Sequence, residues 1–157
     1  MQGKSADVIG TEVKIRWLLR RDLPTVLDIE TRVWDRPWDE NDFLSVLAQN
    51  NCIGVVAESG DRVLGFMLYE LHKNSFRIVN MAVDPQAWRH GIGRALVDRL
   101  INRLSMTRRN EVWLTLRESN VPAQLFFSAC GLLATIVIRD HYEDPVEDGY
   151  LMSFCWS

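Results

Sequence analysis

The segment Arg89-His90-Gly91-Ile92-Gly93-Arg94 has the composition of an anion-binding loop. It follows a strand-like run and precedes an amphipathic one, so its two glycines lie where a helix is expected to begin. Glycines let the backbone curl so that several N–H groups converge on one anion, and the helix N-terminus adds partial positive charge. The same glycine pair also occurs in ordinary strand-to-helix turns. The anion site is favoured because the net charge of the protein is −3, yet this segment and the helix after it carry arginines at positions 89, 94, 99 and 103.

A second pair of residues, His141 and Tyr142, could transfer protons. Histidine, with an ordinary pKa of ~6.5, suits taking a proton from an amine, and tyrosine, at ~10, suits donating one to a leaving group. Both fall in a polar stretch, residues 139–149, that we expect to connect the last two strands. The alternative stays open that His141 is an exposed loop residue and that Tyr142 only lines a groove.

Hydrophobic periodicity predicts the elements that must hold these residues in place. Strands are expected over residues 13–17, 53–58, 62–71, 76–83, 111–117, 132–138 and 150–156. Helices are expected over residues 22–34, 39–47, 92–104 and 120–129. We expect the side chains of Asp22 and Asp39 to cap the first two helices. The order βααβββαβαββ predicts a mixed α/β domain around one central sheet of about seven strands, flanked by helices.

Composition limits the class of protein. Of 157 residues, 47% are hydrophobic and 25% charged, which is typical of one globular domain, expected over residues 13–157 after a flexible segment at residues 1–12. No apolar run approaches the ~20 residues of a membrane span and the first ten residues lack the apolar core of a secretion signal, so we expect no membrane association and a cytoplasmic location. We expect a monomer or a weak dimer.

The charge and the cysteines exclude two further classes. A net charge of −3 gives no general attraction to nucleic acid. Three cysteines without CxxC spacing indicate no metal site and no disulfide framework. A dinucleotide-binding fingerprint would need a third glycine at the position of Leu96, so that fold is excluded on spacing.

Two runs of sequence resemble the acetyl-CoA signature of the GNAT acetyltransferases. They are residues 80–85, Asn-Met-Ala-Val-Asp-Pro, and residues 88–96, Trp-Arg-His-Gly-Ile-Gly-Arg-Ala-Leu. The predicted order of elements agrees with that superfamily. Within it, the chain resembles the acetyltransferases of ribosomal proteins and N-terminal amines in residues 116–120, in Pro37-Trp38, and in Tyr142 with Glu147-Asp148. The resemblance extends from Val13 to the C-terminus.

The resemblance implies a role for each motif. The strand of Met81, Ala82 and Val83 would pair its exposed backbone with the pantetheine arm of acetyl-CoA, and Asn120 would contact that arm from the next helix. The diphosphate would be held by Arg89, His90, Gly91, Ile92, Gly93 and Arg94. The candidate acceptor-binding residues are Trp38, Tyr142 and Glu147. Glu147 belongs to an acidic run that could attract a cationic N-terminus, and Trp38 could instead be an edge of the core.

Three positions depart from the family pattern. Trp88 replaces the family's glutamine or arginine, which we expect to remove a polar contact while leaving the glycines and their N–H groups. Thr115 occupies a position where the subgroup commonly has a glutamate or histidine base. Phe127 occupies the position of its proton-donating tyrosine. Proton transfer would then fall to His141 and Tyr142, or to a carboxylate, Glu118 or Glu147, that relays through water.

These observations predict an N-acetyltransferase that moves an acetyl group from acetyl-CoA to a primary amine by direct attack in a ternary complex. A protein α-amine has a pKa of ~8 and a lysine ~10.4, so neutralising lysine at pH 7 costs about 3 kcal/mol more. A weak base therefore favours a protein N-terminus as the acceptor. Two alternatives stay open: a small-molecule amine acetyltransferase, and an acyl-CoA-binding module without catalysis, for which Thr115 and Phe127 argue.

Overall fold

The structure is a computed structural model that describes residues 12–156. The predicted flexible segment at residues 1–12 lies outside this range except for Glu12, which is exposed. The described chain groups into two compact units. The first unit comprises residues 12–70 and Val79–Leu96, and the second comprises Leu71–Ile78 and residues 97–156.

Within residues 12–156, seven strands and four α-helices form in the predicted order. The strands are β1 Val13–Trp17, β2 Cys52–Ser59, β3 Arg62–Leu71, β4 Ser75–Val83, β5 Glu111–Arg117, β6 Leu133–Glu143 and β7 Val146–Cys155. The helices are α1 Leu23–Val33, α2 Glu40–Leu47, α3 Ile92–Leu104 and α4 Val121–Ala129. The mixed α/β class and the order βααβββαβαββ are confirmed.

The seven strands form one sheet in the order β1-β2-β3-β4-β5-β7-β6. The pairs β1–β2, β2–β3, β5–β7 and β6–β7 are antiparallel. β4 and β5 run parallel, and their register joins Ser75, Phe76 and Arg77 to Glu111, Val112 and Trp113. β5 therefore has a strand on each side, as its nearly continuous apolar sequence predicts.

The first unit buries one face of α1 against the β2–β3 hairpin and α2. Val26 and Ile29 of α1 share one apolar cluster with Phe43 of α2 and Phe66 of β3. The carboxylate of Asp39 caps α2, as predicted, by accepting the Asp42 N–H at 2.9 Å. This packing fixes the segment between α1 and α2, which carries Trp38, a residue predicted to bind the acceptor.

The core of the second unit includes one face of β5 and Phe127 of α4. Val112, Leu114 and Leu116 of β5 are buried, while the other face of the strand is half-buried. Asn120 caps α4 by accepting the Ala123 N–H at 3.2 Å through Oδ1. Gly131 follows the helix with φ 99°, a conformation that glycine adopts without strain.

The predicted cap of α1 is wrong. The Asp22 side chain does not cap the helix; it accepts the Leu19 N–H at 2.7 Å and two bonds from Arg16, at 2.8 and 2.9 Å. The Arg16 guanidinium lowers the pKa of this carboxyl. The ion pair therefore ties the end of β1 to the start of α1 in place of a cap.

The predicted connection between the last two strands is also wrong. β6 runs to Glu143 and β7 begins at Val146, so only Asp144 and Pro145 lie between them. His141 and Tyr142 are therefore residues of β6. The polar sequence misled the prediction because β6 is an edge strand that is mostly exposed, and such a strand needs no apolar alternation.

Candidate functional site

The loop between β4 and α3 contains two residues in the left-handed backbone region. Arg89 has φ 68° and Gly91 has φ 77°. Left-handed residues next to residues of ordinary φ turn successive N–H groups into one concavity that suits an anion. α3 begins directly afterwards, since the Ala95 N–H donates to the Gly91 carbonyl at 2.9 Å. The first N–H groups of the helix have no acceptor within it and extend the same concavity.

The surface of this loop is open. Gly91 is exposed, and a Cβ placed on it would meet no atom of the described chain within 4 Å. Its positive φ nevertheless disfavours any residue with a side chain. Ile92 is buried and anchors the loop to the core, whereas Arg89 and Arg94 are exposed. All six residues predicted to bind a diphosphate, residues 89–94, belong to the first unit.

β4 leads into the loop with Met81, Ala82 and Val83. The Asp84 N–H donates to the Leu64 carbonyl of β3 at 2.8 Å, so the backbone groups of alternate residues face β3. By the same alternation, the N–H and C=O groups of Met81 and Val83 face away from β3. An extended ligand rich in amides could pair with such groups.

Asp84 fixes the turn from β4 into the loop. Its carboxylate accepts two hydrogen bonds from Arg32 of α1, at 2.9 and 3.2 Å, and one from the Gln86 N–H at 3.0 Å. Burial alone would raise the pKa of this carboxyl, but the Arg32 guanidinium and the Gln86 N–H hold the pKa below its usual value. At neutral pH the ion pair therefore fixes the start of the loop.

Trp88 makes a polar contact that the sequence did not predict. Its indole Nε1–H donates to the Val83 carbonyl at 2.8 Å, and 53% of the residue remains exposed. The indole N–H is thus used within the chain, and the expectation that Trp88 removes a polar contact to the cofactor stays a prediction. This bond joins the end of β4 to the residue that precedes Arg89.

A buried carboxylate, Glu30 of α1, holds the segment that carries Trp38. Glu30 is 1% exposed; its Oε2 accepts the Trp38 N–H at 3.0 Å, and both oxygens lie 3.1 Å from Asn80 Nδ2 of β4. Burial raises the pKa of Glu30 because it disfavours the charged carboxylate, and the hydrogen bonds from Trp38 and Asn80 offset this only in part. The Trp38 ring lies 5.1 Å from that of Phe43 and packs against the core, which supports the core-edge alternative for its side chain.

In the second unit, His141, Tyr142 and Glu147 come together at the end of the β6–β7 hairpin. Tyr142 and Glu147 are direct cross-strand partners, and the His141 ring meets the Tyr142 ring edge to face at 4.8 Å. Neighbouring residues of a regular strand point to opposite faces, but the register of β6 shifts between Ile138 and Tyr142. His141 is exposed and lies over Gly149, where an added Cβ would be 3.1 Å from its Cδ2.

Arg117, the last residue of β5, joins this group although the sequence did not predict a role for it. Its guanidinium lies 4.4 Å from the centroid of the Tyr142 ring and 3.1 Å from Glu147 Oε1. The other carboxylate oxygen of Glu147 accepts the Ser119 N–H at 2.6 Å. The hydrogen bond from Ser119 and then that from Arg117 lower the pKa of the Glu147 carboxyl. Both carboxylate oxygens of Glu147, a residue predicted to bind the acetyl acceptor, thus accept hydrogen bonds from the chain itself.

Three further predicted positions lie in the second unit. Asn120 is half-buried and uses Oδ1 to cap α4, so its Nδ2 is the group that can donate to a ligand. Thr115 is half-buried on β5, on the same face as Trp113, and has no group that takes a proton at neutral pH. Phe127 is 4% exposed and packs edge-on to Phe126 at 4.9 Å, so it belongs to the core.

The described part of the chain contains neither of two other kinds of feature, a metal-binding cluster or a membrane-spanning helix. Among residues 12–156, no three His, Cys, Asp or Glu residues are grouped so that they could hold a metal ion. None of the helices in this range is both long enough and apolar enough to cross a membrane.

Comparisons of sequence relate this chain to known enzymes. Residues 15–132 match the profile of the Acetyltransferase (GNAT) family. The chain is 30% identical over 128 residues to the ribosomal protein bS18-alanine N-acetyltransferase of Escherichia coli strain K12, a match that covers 82% of this chain and 84% of the relative. It is 31% identical over 140 residues, 88% of each chain, to an uncharacterised N-acetyltransferase of Methanocaldococcus jannaschii.

Solved structures agree with the sequence comparisons. The crystal structure of the ribosomal-protein-S18-alanine N-acetyltransferase from Escherichia coli matches with a TM-score of 0.81 at 28% identity, over 93% of this chain and 95% of that one. Arabidopsis thaliana NAA60 in complex with acetyl-CoA shares the fold, with a TM-score of 0.79 at 15% identity over 92% and 99%. This chain belongs to the GNAT family of acetyltransferases, enzymes that use acetyl-CoA as the acetyl donor.

Proposed function

We propose that this protein transfers the acetyl group of acetyl-CoA to the α-amine of a protein N-terminus. The observation that carries the proposal is the open loop of left-handed residues, Arg89 and Gly91, placed between β4 and the start of α3. The similarity to the bS18-alanine N-acetyltransferase of Escherichia coli supports the choice of acceptor. In this proposal the loop binds the acetyl donor, acetyl-CoA, and the hairpin of β6 and β7 carries the residues that transfer protons.

Acetyl-CoA binds along β4 and the loop. Its diphosphate accepts N–H groups from the loop and from the first turn of α3, and the exposed guanidinium groups of Arg89 and Arg94 add positive charge. Its pantetheine arm pairs with the backbone of Met81 and with the Val83 N–H, in the manner of an added strand, while the Val83 carbonyl accepts the Trp88 indole N–H. Asn120 donates from Nδ2 to the same arm. The outward-facing backbone of β4 is what supports this placement.

Tyr142 and His141 move the protons of the transfer. The neutral amine attacks the thioester carbonyl carbon, and the C–S bond breaks as the new C–N bond becomes an amide. Tyr142 gives its hydroxyl proton to the departing thiolate, and His141 takes the proton that the attacking nitrogen loses, directly or through water. Solvent then returns the proton of Tyr142. No covalent enzyme intermediate is needed.

The composition of the site favours an α-amine over a lysine. Thr115 and Phe127 supply neither a base nor an acid, so deprotonation of the acceptor depends on an exposed histidine. An α-amine, with an ordinary pKa of ~8, presents its neutral form at pH 7 about 3 kcal/mol more cheaply than lysine at ~10.4. The segment that carries Trp38 and, separately, the hairpin around Glu147 are the parts of the chain that we expect to recognise the acceptor.

The residues at positions 115 and 127 favour a second function, the binding of acyl-CoA without catalysis. Phe127 is a core residue and Thr115 does not titrate, so a protein that binds acyl-CoA without turnover would need no other change. Turnover separates the two functions, because such a binding module would hold acetyl-CoA and acetylate no amine.

Product analysis tests the proposed function. The protein is incubated with acetyl-CoA and a peptide library of mixed N-termini, and mass spectrometry locates each acetyl group. We expect acetylation at α-amines. A Gly91→Val variant, strained by its positive φ, should bind acetyl-CoA more weakly in calorimetry while remaining folded. Tight binding of acetyl-CoA with no acetylated peptide would favour the binding module, and unchanged affinity in a folded Gly91→Val variant would contradict the placement of the donor.

A further inference from the structure

Arg117 contacts both strands and the turn of the β6–β7 hairpin at once. Its Nη1 donates to Glu147 Oε1 of β7 at 3.1 Å and to the carbonyl of Pro145 in the turn at 3.2 Å. Its guanidinium also lies over the Tyr142 ring of β6, 4.4 Å from the centroid. One side chain of β5 therefore holds the cross-strand pair Tyr142 and Glu147 together with the turn between them.

Further bonds join the same hairpin to the segment that follows Arg117. The Ser119 N–H donates to Glu147 Oε2 at 2.6 Å, and the Glu118 N–H donates to the Asp148 carbonyl at 3.0 Å. β5 and β7 also pair along seven residues, from Glu111 with Cys155 to Arg117 with Gly149. The hairpin is thus attached to β5 by many backbone bonds that do not involve the Arg117 side chain.

The Arg117 side chain therefore has a narrower effect than holding the hairpin in place. An exposed or half-exposed ion pair contributes little to folding stability. What the guanidinium alone provides is a flat cationic surface against one face of the Tyr142 ring, and arginine stacks on aromatic rings in a way that lysine does not reproduce. Contact with one face limits the rotamers that the ring can adopt, and so limits where the Tyr142 hydroxyl can lie.

We propose that Arg117 is a positioning residue, which holds the Tyr142 hydroxyl in the orientation needed to protonate the leaving thiolate. The inference rests on the proposed function, in which Tyr142 is the proton donor. Glu147 keeps the guanidinium in place through Oε1 while Ser119 holds Oε2, so Glu147 acts on the ring through Arg117. Proton transfer requires close alignment of donor and acceptor, and a small displacement of a catalytic group lowers the rate strongly.

A double-mutant cycle tests the positioning role. Arg117→Gln should lower kcat roughly tenfold while the KM for acetyl-CoA stays the same, because only the orientation of Tyr142 changes. In a Tyr142→Phe background the same substitution should cause no further loss. Arg117→Lys should recover only part of the rate, since it keeps a charge beside Glu147 but loses the planar stack. Equal losses from Arg117→Gln with and without the Tyr142 hydroxyl would overturn the proposal.

Arg139→Gln is the matched control. Arg139 is 84% exposed in its side chain and pairs with Asp148 at 3.2 Å on the same hairpin, without any described contact to Tyr142. Its removal should leave kcat at the wild-type value. A loss as large as that of Arg117→Gln would mean that any loosening of the hairpin slows the reaction, and would contradict a specific role for Arg117.

A measurement without turnover separates this inference from the proposed function. NMR coupling constants report the χ1 rotamer of Tyr142 in the folded protein. We expect one rotamer in wild type and in Arg139→Gln, and averaging among rotamers in Arg117→Gln. One unchanged rotamer in Arg117→Gln would overturn the positioning role even if the enzyme is active. Absence of acetylation in wild type with the expected rotamer change would instead contradict the proposed function.

Discussion

Two carboxylates hold the two segments from which we expect acceptor recognition, and they do so by opposite physical means. In the first unit, Glu30 is buried and accepts bonds from neutral donors, the Trp38 N–H and the Asn80 amide. In the second unit, Glu147 lies at the rim of a hairpin and accepts bonds from a backbone N–H and from the Arg117 guanidinium. Burial raises the pKa of the first, and the Ser119 N–H with the cation lowers that of the second.

The two anchors depend on their surroundings to different degrees. A buried carboxylate whose donors are neutral is costly to ionise, so its segment depends on exact complementarity of donors and acceptors. A carboxylate beside a guanidinium is stabilised in its charged form and tolerates solvent. We therefore expect the Glu30 anchor to matter for stability and acceptor binding, and the Glu147 anchor to matter for the orientation of reacting groups.

The largest effect expected from this comparison concerns the hairpin. Tyr142→Phe should lower kcat by roughly 10²-fold while the affinity for acetyl-CoA is unchanged, because the phenol hydroxyl acts only as the thiolate forms. Glu30→Gln should instead act mainly on the KM for the peptide, through the segment of Trp38. Steady-state kinetics with a peptide acceptor measure both. If Tyr142→Phe keeps full kcat, the hairpin does not supply the proton.

The next effect concerns stability. Glu30→Gln replaces one acceptor oxygen by an N–H₂ group that faces the donors of Trp38 and Asn80, so the free energy of unfolding should fall by about 1 to 3 kcal/mol. Asp28→Asn is a matched control on the same helix, because Asp28 is exposed and should change stability little. Denaturant unfolding gives both values. Equal stability of Glu30→Gln and wild type would show that the buried carboxylate is not an anchor.

The stability difference between wild type and Glu30→Gln should also depend on pH. The folded pKa of Glu30 lies above its usual value of 4.5, so the carboxyl favours folding most while it is protonated. As pH rises from about 4.5 through the folded pKa, the wild type loses that contribution and the glutamine variant does not. The gap between the two proteins should therefore narrow with rising pH. A gap that widens over this range would contradict the burial effect.

Glu147→Gln should show the opposite pH dependence. The folded pKa of Glu147 lies below its usual value of 4.5, so its contribution is present above that value and is lost as pH falls through the folded pKa. The wild type should therefore gain stability relative to Glu147→Gln as pH rises. Unfolding of the two proteins in parallel between pH 3 and pH 7 measures the change. If the stability difference between wild type and variant changes with pH in the same direction for Glu147→Gln as for Glu30→Gln, the pKa values of the two carboxyls are not shifted in opposite directions.

The smallest effect expected is on the pH profile of the reaction. If His141 is the base, His141→Ala should remove the acid limb of the kcat/KM profile and leave the titration of the acceptor amine. The loss of rate at neutral pH should be modest for an α-amine, because part of it is already neutral there. Initial rates across pH for wild type and variant measure this, and an acid limb that persists in His141→Ala would assign the base elsewhere.

Much of the fold could be predicted from the sequence because its strands and helices have clear periodicity. β1, β3 and β5 have the predicted bounds, and the order of all eleven elements is confirmed. The stripe on α3 is buried at Leu96, Val97, Leu100 and Leu104, as expected. The predicted cap at Asp22 was wrong because Arg16, six residues earlier, competes for its carboxylate, a contact that depends on how β1 and α1 meet.

The two residues that anchor the candidate site, Glu30 and Arg117, were not predicted from the sequence. Glu30 has a sequence signal, since it lies four residues after Val26 and three before Val33, on the apolar stripe of α1. A carboxylate at such a position is buried and needs donors. The role of Arg117 depends on the tight turn at Asp144 and Pro145, which the Asp-Pro dipeptide indicates, and on the register shift in β6, which has no clear sequence signal.

A competition between two peptides of one sequence near pH 7 tests whether the acceptor is an α-amine. One peptide has a free N-terminus and blocked lysines, and the other has a blocked N-terminus and free lysines. We expect acetylation of the first and not of the second, because only the α-amine presents enough neutral nitrogen to a site without a strong base. Efficient acetylation of the peptide with the blocked N-terminus would show that the acceptor is not an α-amine.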